Sequence, residues 1–512
     1  MSQENWLNHL AEWLSRENAA TSGQEIQQMV LAASQLELDS LLGVLQHLVT
    51  QIEPDSGKPA FLLQILAVRC KQLQATEPLV LDSRAIAELY EQLFAIHQLN
   101  AGAHLLQILA MQGDEDSVRE LAEVIKDSPL EDWQLVGLAL SPLWEKPAES
   151  IENFFEALGN DYLHPAATGV LLDLANFSLR AGKFEEHPWK NRSKQLSDLL
   201  QQLVSRLRKL ERDPQQFGDS VEEVQRALGD SVSLTVSLCD ALGWIGSSDC
   251  QEVLEDTLTL SHRRIQTEAA AALARMDSEV GKSRLLDLAA DSAARLRVVA
   301  YAEELGLTEE LDGSFCTAES LAESELASWL AEAPRFGFPP QQLELVDNRV
   351  QYWPSYDEPR ECYLFRYTYA FPQGQVRNIG IAGPLTHTFT TNLENLEVED
   401  QYAVFAGWQA EHEDIYEVPA SEFNITQQNE SAKLSRYLKV TGFDSIDPIA
   451  LAMFFGDIAL VGYAELSGQR VTVVSDGNEV VSFPITATEA SMTPETTLCL
   501  YRGRKILRSF NP

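Results

Sequence analysis

The chain has 512 residues, of which 45% are hydrophobic and 22% are charged. This length exceeds one ordinary hydrophobic core, so roughly two to four domains are expected, and the composition excludes wholesale disorder. Its 77 acidic residues against 38 basic ones give a formal net charge of −39. Such a surface repels nucleic-acid phosphates and anionic lipids. We therefore predict no nucleic-acid or membrane partner, and electrostatic steering toward proteins with a basic surface.

The six cysteines are scattered along the chain without close pairs. A zinc site needs ligands in close pairs, and a disulfide framework needs a small, dense set of cysteines. We therefore expect free thiols in a reducing compartment, and neither a metal site nor a cofactor. Residues 1–10 lack the basic and apolar regions of a secretory signal, and the longest apolar stretch, 449–464, is too short to span a bilayer. These features predict a cytoplasmic protein, with 449–464 as a buried helix running into a strand.

The first part of the chain is dominated by the helical period. Apolar residues recur at spacings of three and four, for example in 41–49 and 86–94, and short polar breaks separate such segments. The acidic break 114–116 lacks the ligand run of a calcium loop, so we interpret it as the cap and first turn of a helix. Helices joined by short turns predict an α-helical repeat solenoid over residues 1–335.

A repeat is visible between residues 231 and 307. A shift of 31 residues aligns two sets of apolar or small positions: Leu234 with Ile265 and Leu296, and Leu238 with Ala269 and Ala300. A period near thirty predicts stacked helical hairpins, and the small residues allow neighbouring helices to approach closely. The third copy departs from the others, because Glu303 and Glu304 replace an Ala-Leu pair.

These residues resemble a known family. The segments CDALGWIGSSDCQEVLEDTLTL and QTEAAAALARMDSEVGKSRLLDLA are similar to HEAT repeats, in particular the short type named after phycobilisome lyases. The resemblance is clearest over 231–307 and implies a curved solenoid that binds proteins. Bilin lyases of this type help attach a chromophore, but no lyase-specific residue matches here. The large C-terminal region also departs from their pattern.

The period of the sequence changes after a predicted acidic helix at 318–331. Residues 334–340 are rich in proline, which cannot continue a helix, so we place a domain boundary between 335 and 336. Beyond it, aromatic residues alternate along one predicted strand: Tyr363, Phe365, Tyr367, Tyr369 and Phe371. A period of two indicates a strand with one aromatic face, which we interpret as core.

Hairpin signals follow this strand. Residues 372–375 form the predicted turn into a partner strand at 376–382, and an Asp-Gly turn separates the predicted strands 471–474 and 480–483. A third turn is predicted at 502–504. A helix whose apolar side includes His412 is expected between the first two hairpins. Residues 336–512 are therefore predicted to form an α+β domain with an antiparallel sheet.

The candidate binding residues come from two features of the C-terminal region. Aromatic rings surround Pro354 in a predicted loop, where they could be exposed to a partner, and a basic group stands out against the acidic background. These residues are Tyr352, Trp353, Tyr356, Arg502, Arg504 and Lys505. A second basic group, between residues 190 and 212, could likewise hold an anion or an acidic partner. For both basic groups, the favoured interpretation is a solvated face or contacts to acidic residues of the same chain.

No catalytic or metal-binding residues are assigned. The sequence lacks the Gly-x-Ser-x-Gly, Gly-x-Gly-x-x-Gly and P-loop patterns, and His412 has no second histidine one helical turn away. The favoured function is a non-catalytic scaffold or adaptor that binds protein through the solenoid. One alternative is an enzyme or small-ligand receptor in the C-terminal domain, in which His387, His412, Arg366 and Tyr367 would converge. The other alternative, implied by the resemblance, is a lyase-like chaperone for a cofactor-bearing protein.

Overall fold

The structure is a computed structural model that describes residues 10, 12–14, 22–49, 56–159, 164–332, 335–372, 374–485 and 491–511. The chain divides into two compact units, the N-terminal unit 1–285 and the C-terminal unit 286–512. The N-terminal unit is helical and the C-terminal unit combines helices with antiparallel sheets, which confirms the predicted order of a helical region followed by an α+β region. Across the described ranges, no helix has both the length and the apolarity needed to cross a bilayer.

The N-terminal unit contains a succession of helices joined by short turns. They are α1 Gly23–Leu31, α2 Gln35–Leu48, α3 Lys58–Gln74, α4 Ser83–Ala95, α5 Leu99–Gln112, α6 Glu115–Asp127, α7 Trp133–Leu140, α8 Ala148–Leu158, α9 Pro165–Arg180, α10 Ser193–Arg212, α11 Val221–Ile245, α12 Gln251–Thr257, α13 Arg263–Arg275 and α14 Glu279–Asp287, within which the two units divide.

Local sequence explains where these helices begin and end. The side chain of Asp114 accepts a hydrogen bond from the backbone nitrogen of Ser117 at 3.1 Å, which caps α6 as predicted for the acidic break. Ser220 and Glu223 form a capping box at the start of α11. Gly113 and Gly246 end α5 and α11 in the left-handed conformation, with φ of 70° and 67°, which glycine adopts without strain.

The helices of the N-terminal unit form two layers. In the first layer α1, α3, α5, α7, α9, α11 and α13 each contact the next member of the series. In the second layer α2, α4, α6 and α8 do the same, as do α10 and α12. Contacts between helices two places apart are the packing expected of stacked helical hairpins, in which neighbours bury each other's apolar faces.

Small residues permit the closest contacts in this stack. A Cβ atom placed on Gly243 of α11 would lie 2.8 Å from the Cα of Ala272 on α13. Leu238 and Ala269, aligned in the repeat, are both fully buried. In the third copy Leu296 is 38% exposed and Ala300 is also exposed, so the aligned positions no longer face a core there.

The C-terminal unit contains two sheets and five helices in its described part. Its helices are α15 Ser292–Glu304, α16 Ala318–Leu330, α17 Val398–Gln409, α18 Ile425–Val440 and α19 Pro494–Phe510. The first sheet has the order β1 Gln342–Gln351, β2 Arg360–Phe371, β3 Gly374–Ala382 and β4 His387–Thr388. The second has the order β5 Ile415–Pro419, β6 Phe443–Phe454, β7 Asp457–Leu466, β8 Gln469–Ser475 and β9 Val480–Pro484.

The aromatic strand is core, as predicted. Tyr363, Phe365, Tyr367 and Tyr369 of β2 are buried in one cluster with residues of α16, whereas Phe371 at the strand end is 38% exposed. Helix α16 matches the predicted acidic helix and packs on β2 and β3. The change from helices to strands therefore occurs where the sequence predicted it. The two compact units divide earlier along the chain, because α16 packs on the first sheet and is part of the C-terminal unit. Pro334 and Gln373 of the predicted boundary and turn lie outside the described residues.

Three local predictions are wrong. Residues 449–464 form the antiparallel hairpin of β6 and β7 and contain no helix. The predicted turn at 502–504 lies inside α19, where Gly503 packs against α17. Helix α17 ends at Gln409, so His412 lies beyond it in an exposed turn, not on a buried helical face.

A polar groove as candidate binding site

Helix α9 presents charged and aromatic side chains on the side opposite its apolar face. Asp173, Phe177 and Arg180 are spaced four and three residues apart, so they lie along one side of the helix, and all three are exposed. Leu171, Leu172 and other residues of the opposite side are fully buried. The N-terminal unit thus presents a mixed polar and aromatic surface at α9.

Helices α11 and α13 lie next to α9 and place polar side chains beside this surface. These side chains are almost fully buried. Ser237 and Asp240 of α11 are 3% and 9% exposed, and Glu268 of α13 is 2% exposed. Burying charges is unfavourable unless they are paired, so such residues mark either a structural network or a functional site. The polar groove is defined here as Asp173, Phe177, Arg180, Ser237, Asp240, Trp244, Arg264, Glu268 and Arg275.

Asp240 is the charge that ties the three helices together. Its Oδ1 lies 2.9 Å from Nη2 of Arg180 on α9 and 3.3 Å from Nη1 of Arg275 on α13. Both guanidinium groups also lie over the indole ring of Trp244, at 5.7 Å for Arg180 and 4.3 Å for Arg275. Because the ring face carries negative charge density, it adds to the attraction that Asp240 exerts on both arginines.

Asp173 is the carboxylate left facing outward in this groove. It accepts a hydrogen bond from Oγ of Ser237 at 2.6 Å. The surrounding protein atoms displace water from the carboxyl and raise its pKa, and the carboxylates of Asp240 and Glu268 raise it further, against the opposing effects of Ser237 and Arg264.

A chain of hydrogen bonds supports α9 from below the groove. Nδ1 of His187 accepts from the backbone nitrogen of Trp189 at 3.1 Å, so the ring proton sits on Nε2 and is donated to Oδ1 of Asn176 at 3.2 Å. Nδ2 of Asn176 in turn donates to the carbonyl of Ser237 at 3.0 Å. Burial lowers the pKa of His187 to about 4, which keeps the ring neutral near pH 7.

A small cavity adjoins the groove at the end of α9. Its volume is about 310 Å³. It is lined by Leu179, Phe184, Glu185, Glu186, His187, Lys190, Trp244 and Ile245. Nζ of Lys190 forms an ion pair with Oε1 of Glu186 at 2.6 Å. The buried Nε1 of Trp244 has no hydrogen-bond acceptor among the described residues. The cavity beside the groove therefore combines apolar lining residues with charged and polar ones.

The predicted aromatic loop is largely used in packing. Trp353 is buried and donates from Nε1 to Oε1 of Gln409 at 2.6 Å, and the hydroxyl of Tyr356 donates to the carbonyl of Pro384 at 2.9 Å. Only Tyr352 keeps a substantially exposed ring, at 44%. Its backbone nitrogen and carbonyl bond the side-chain amide of Asn511, at 2.7 and 3.1 Å. The loop is thereby fixed to the end of α19.

The predicted basic residues lie on α19 and are each paired with a carboxylate of the same unit. Arg502 contacts Glu417 at 3.0 Å, and Arg504 binds both oxygens of Asp400 at 2.7 Å. Nζ of Lys505 contacts a carboxylate oxygen of Asp457 and one of Asp476, each at 2.7 Å. These three residues therefore make ion pairs within the chain, as the favoured interpretation of this basic group allowed.

The residues of the alternative enzyme hypothesis do not converge among the described contacts. The ring of His387 stacks on Trp408 with centroids 4.0 Å apart, and Tyr367 bonds Thr388. Arg366 pairs with Glu344 and Glu394. His412 lies in its exposed turn beside Phe455. Among the described residues, none of these four side chains forms a hydrogen bond, ion pair or ring contact with another.

Sequence reasoning missed every residue of the groove. The available signal was the spacing of Ser237, Asp240 and Trp244, which places polar groups on one side of a helix within the most repeat-like segment. Comparison of the sequence with protein-family models and with curated proteins finds no match.

Proposed function

We propose that the protein is a cytoplasmic, non-catalytic interaction scaffold that binds a protein partner through the polar groove. The observation that carries this proposal is the position of Asp173, an outward-facing carboxylate whose charged form is poorly stabilised by its own surroundings. A cation supplied by a partner would stabilise that charge, so the groove favours a lysine or arginine side chain at this point.

Phe177 supplies the apolar half of the same contact. It lies one turn after Asp173 on α9 and is 42% exposed. Residues four apart on a helix are neighbours, so a long basic side chain can place its head at Asp173 and its stem against the ring. The ring already has Nζ of Lys183 at 5.8 Å from its centre, a distance at which a cation is attracted to an aromatic face.

The remaining charges of the groove favour this orientation. Asp240 and Trp244 of α11 hold Arg180 and Arg275, and Asp173 accepts a hydrogen bond from the neutral hydroxyl of Ser237. The formal net charge of −39 would accelerate the approach of a basic protein at low ionic strength. The layered helices supply the extended surface on which such a partner lies.

Affinity capture from native lysate with the full-length chain tests this function. Wild type and Asp198→Asn, which changes an exposed carboxylate of α10 outside the groove, should retain the same basic protein. Asp173→Asn should weaken its capture about tenfold, because a charge-assisted hydrogen bond is lost, and Phe177→Ala should weaken it as well. Salt should reduce capture by wild type. Equal capture by all four chains would refute the groove as the docking site.

A further inference from the structure

A second recess lies on helix α10, outside the polar groove. The apolar side of α10 is buried through Leu196, Leu200, Val204 and others. After the helix ends, the short 3-10 helix Pro214–Phe217 contacts α10 again. The recess has a volume of about 700 Å³ and is lined by Gln201, Gln202, Ser205, Arg206, Lys209, Gln216 and Phe217. The lining residues on α10 are exposed and only Phe217 is half-buried, so the recess is a shallow depression open to solvent.

The charge of this recess is opposite to that of the whole chain. Arg206 and Lys209, three residues apart on α10, are its charged lining residues, and none of the lining residues is acidic. Among the residues the structure describes, neither cation has a carboxylate oxygen within 4.0 Å. Two other basic residues of this region are paired, Arg208 with Asp256 and Lys190 with Glu186.

The other lining groups suit an anion attached to a ring. The guanidinium of Arg206 lies 5.7 Å from the ring centre of Phe217, which restrains the arginine. A guanidinium restrained in this way still offers its planar N–H edge to a phosphate or carboxylate. The glutamine amides and the hydroxyl of Ser205 add hydrogen-bonding groups, and Phe217 adds an apolar wall.

We propose that this recess binds a small organic anion. Arg206 and Lys209 hold its phosphate or carboxylate group, and Phe217 packs against its ring or other apolar part. This site is independent of the partner docking proposed for the groove, because it shares no residue with it and requires no protein partner.

Isothermal titration calorimetry on the full chain tests the proposal with three probes: inorganic phosphate, phenyl phosphate and benzoate. Wild type should bind phenyl phosphate or benzoate saturably, and the tighter of the two identifies the anionic group. Phenyl phosphate should bind more tightly than inorganic phosphate if phosphate is that group, because only the former reaches Phe217. Arg206→Gln and Lys209→Gln should each weaken binding about tenfold.

Two further variants separate the site from general effects of charge. Phe217→Ala should reduce the affinity for the ring-bearing probe while leaving inorganic phosphate unchanged. Lys194→Gln removes a cation from the same helix outside the recess and should bind as wild type does. The proposal is overturned if wild type binds neither ring-bearing probe, or if Arg206→Gln and Lys209→Gln, folded by circular dichroism, bind with wild-type affinity.

Discussion

The Cβ position of Gly407 on α17 lies 2.8 Å from the backbone nitrogen of Gly503 on α19. The contact is reciprocal along the two helices. A Cβ on Gly407 would lie 1.8 Å from the carbonyl oxygen of Cys499, and one on Gly503 would lie 1.7 Å from that of Ala403. The two backbones therefore touch directly, and a side chain at either glycine would force them apart. This contact joins α17 and α19 directly.

Gly503→Ala should destabilise the C-terminal unit by about 3 kcal/mol, because the added methyl group collides with backbone that cannot rotate away. Thermal unfolding of the full chain measures this loss. Gly229→Ala is the matched control, since it makes the same change in a helix with no atom within 4 Å of the new Cβ. It should stabilise the protein slightly, by roughly 0.5–1 kcal/mol. Equal effects of the two changes would contradict the close contact.

Arg504→Gln should also destabilise the C-terminal unit, by about 2 kcal/mol. The change removes a bidentate pair and leaves Asp400, whose side chain is 19% exposed, without its partner. Arg508→Gln is the control, because Arg508 is 69% exposed and 4.0 Å from Glu479. It should change stability by less than about 0.5 kcal/mol. If Arg504→Gln unfolds as wild type but loses a bound partner, Arg504 is a binding residue and not a structural one.

The sequence predicted the structure correctly where one hydrophobic period extends along a whole helix or strand. The alternation of Tyr363, Phe365, Tyr367 and Tyr369 predicted a strand with an aromatic core face, and the structure confirms both. The Asp-Gly turn likewise predicted the β8–β9 hairpin. In both cases the local pattern and the tertiary environment favour the same structure.

Local patterns failed where tertiary packing decided the structure. Gly503 suggested a turn, but α19 needs a residue without a side chain there, because α17 approaches so closely. Residues 449–464 are apolar on both sides of the chain, and such a run does not distinguish a buried strand from a buried helix. The hairpin there turns at Phe455 and Gly456.

The groove could not be predicted for a different reason. Asp173, Asp240 and Glu268 come from three helices and are separated by many residues along the chain. Their proximity depends on how α9, α11 and α13 stack in one layer, and sequence spacing contains no information on that. The candidate residues that sequence reasoning chose were conspicuous by composition, but Arg502, Arg504 and Lys505 are paired within the chain.

His187 should make the N-terminal unit less stable in mild acid. Its pKa is about 4 in the folded chain and about 6.5 when unfolded, so the unfolded chain binds the proton more tightly between these values. The stability that the neutral ring contributes is complete above pH 6.5 and is lost as the pH falls toward 4. We expect a loss of about 2 kcal/mol between pH 7 and pH 5 from this residue.

Urea unfolding at both pH values measures this loss. His187→Gln should be less stable than wild type at pH 7, because Asn176 loses its partner, but its stability should fall less between pH 7 and pH 5. His47→Gln, a change at an exposed histidine of α2, should keep the pH dependence of wild type. A pH dependence that is the same in all three proteins would show that His187 is not the buried neutral ring described above.

Side-chain oxidation by hydroxyl radicals, followed by mass spectrometry, tests the docking site most directly. The measurement compares the free full-length chain with its complex with the captured basic protein. Oxidation of Phe177 should fall several-fold in the complex, because the partner covers the ring beside Asp173. Oxidation of Leu36, which is 79% exposed on α2 in the other helical layer, should be unchanged. If Phe177 is oxidised equally with and without the partner, the polar groove is not where that partner binds.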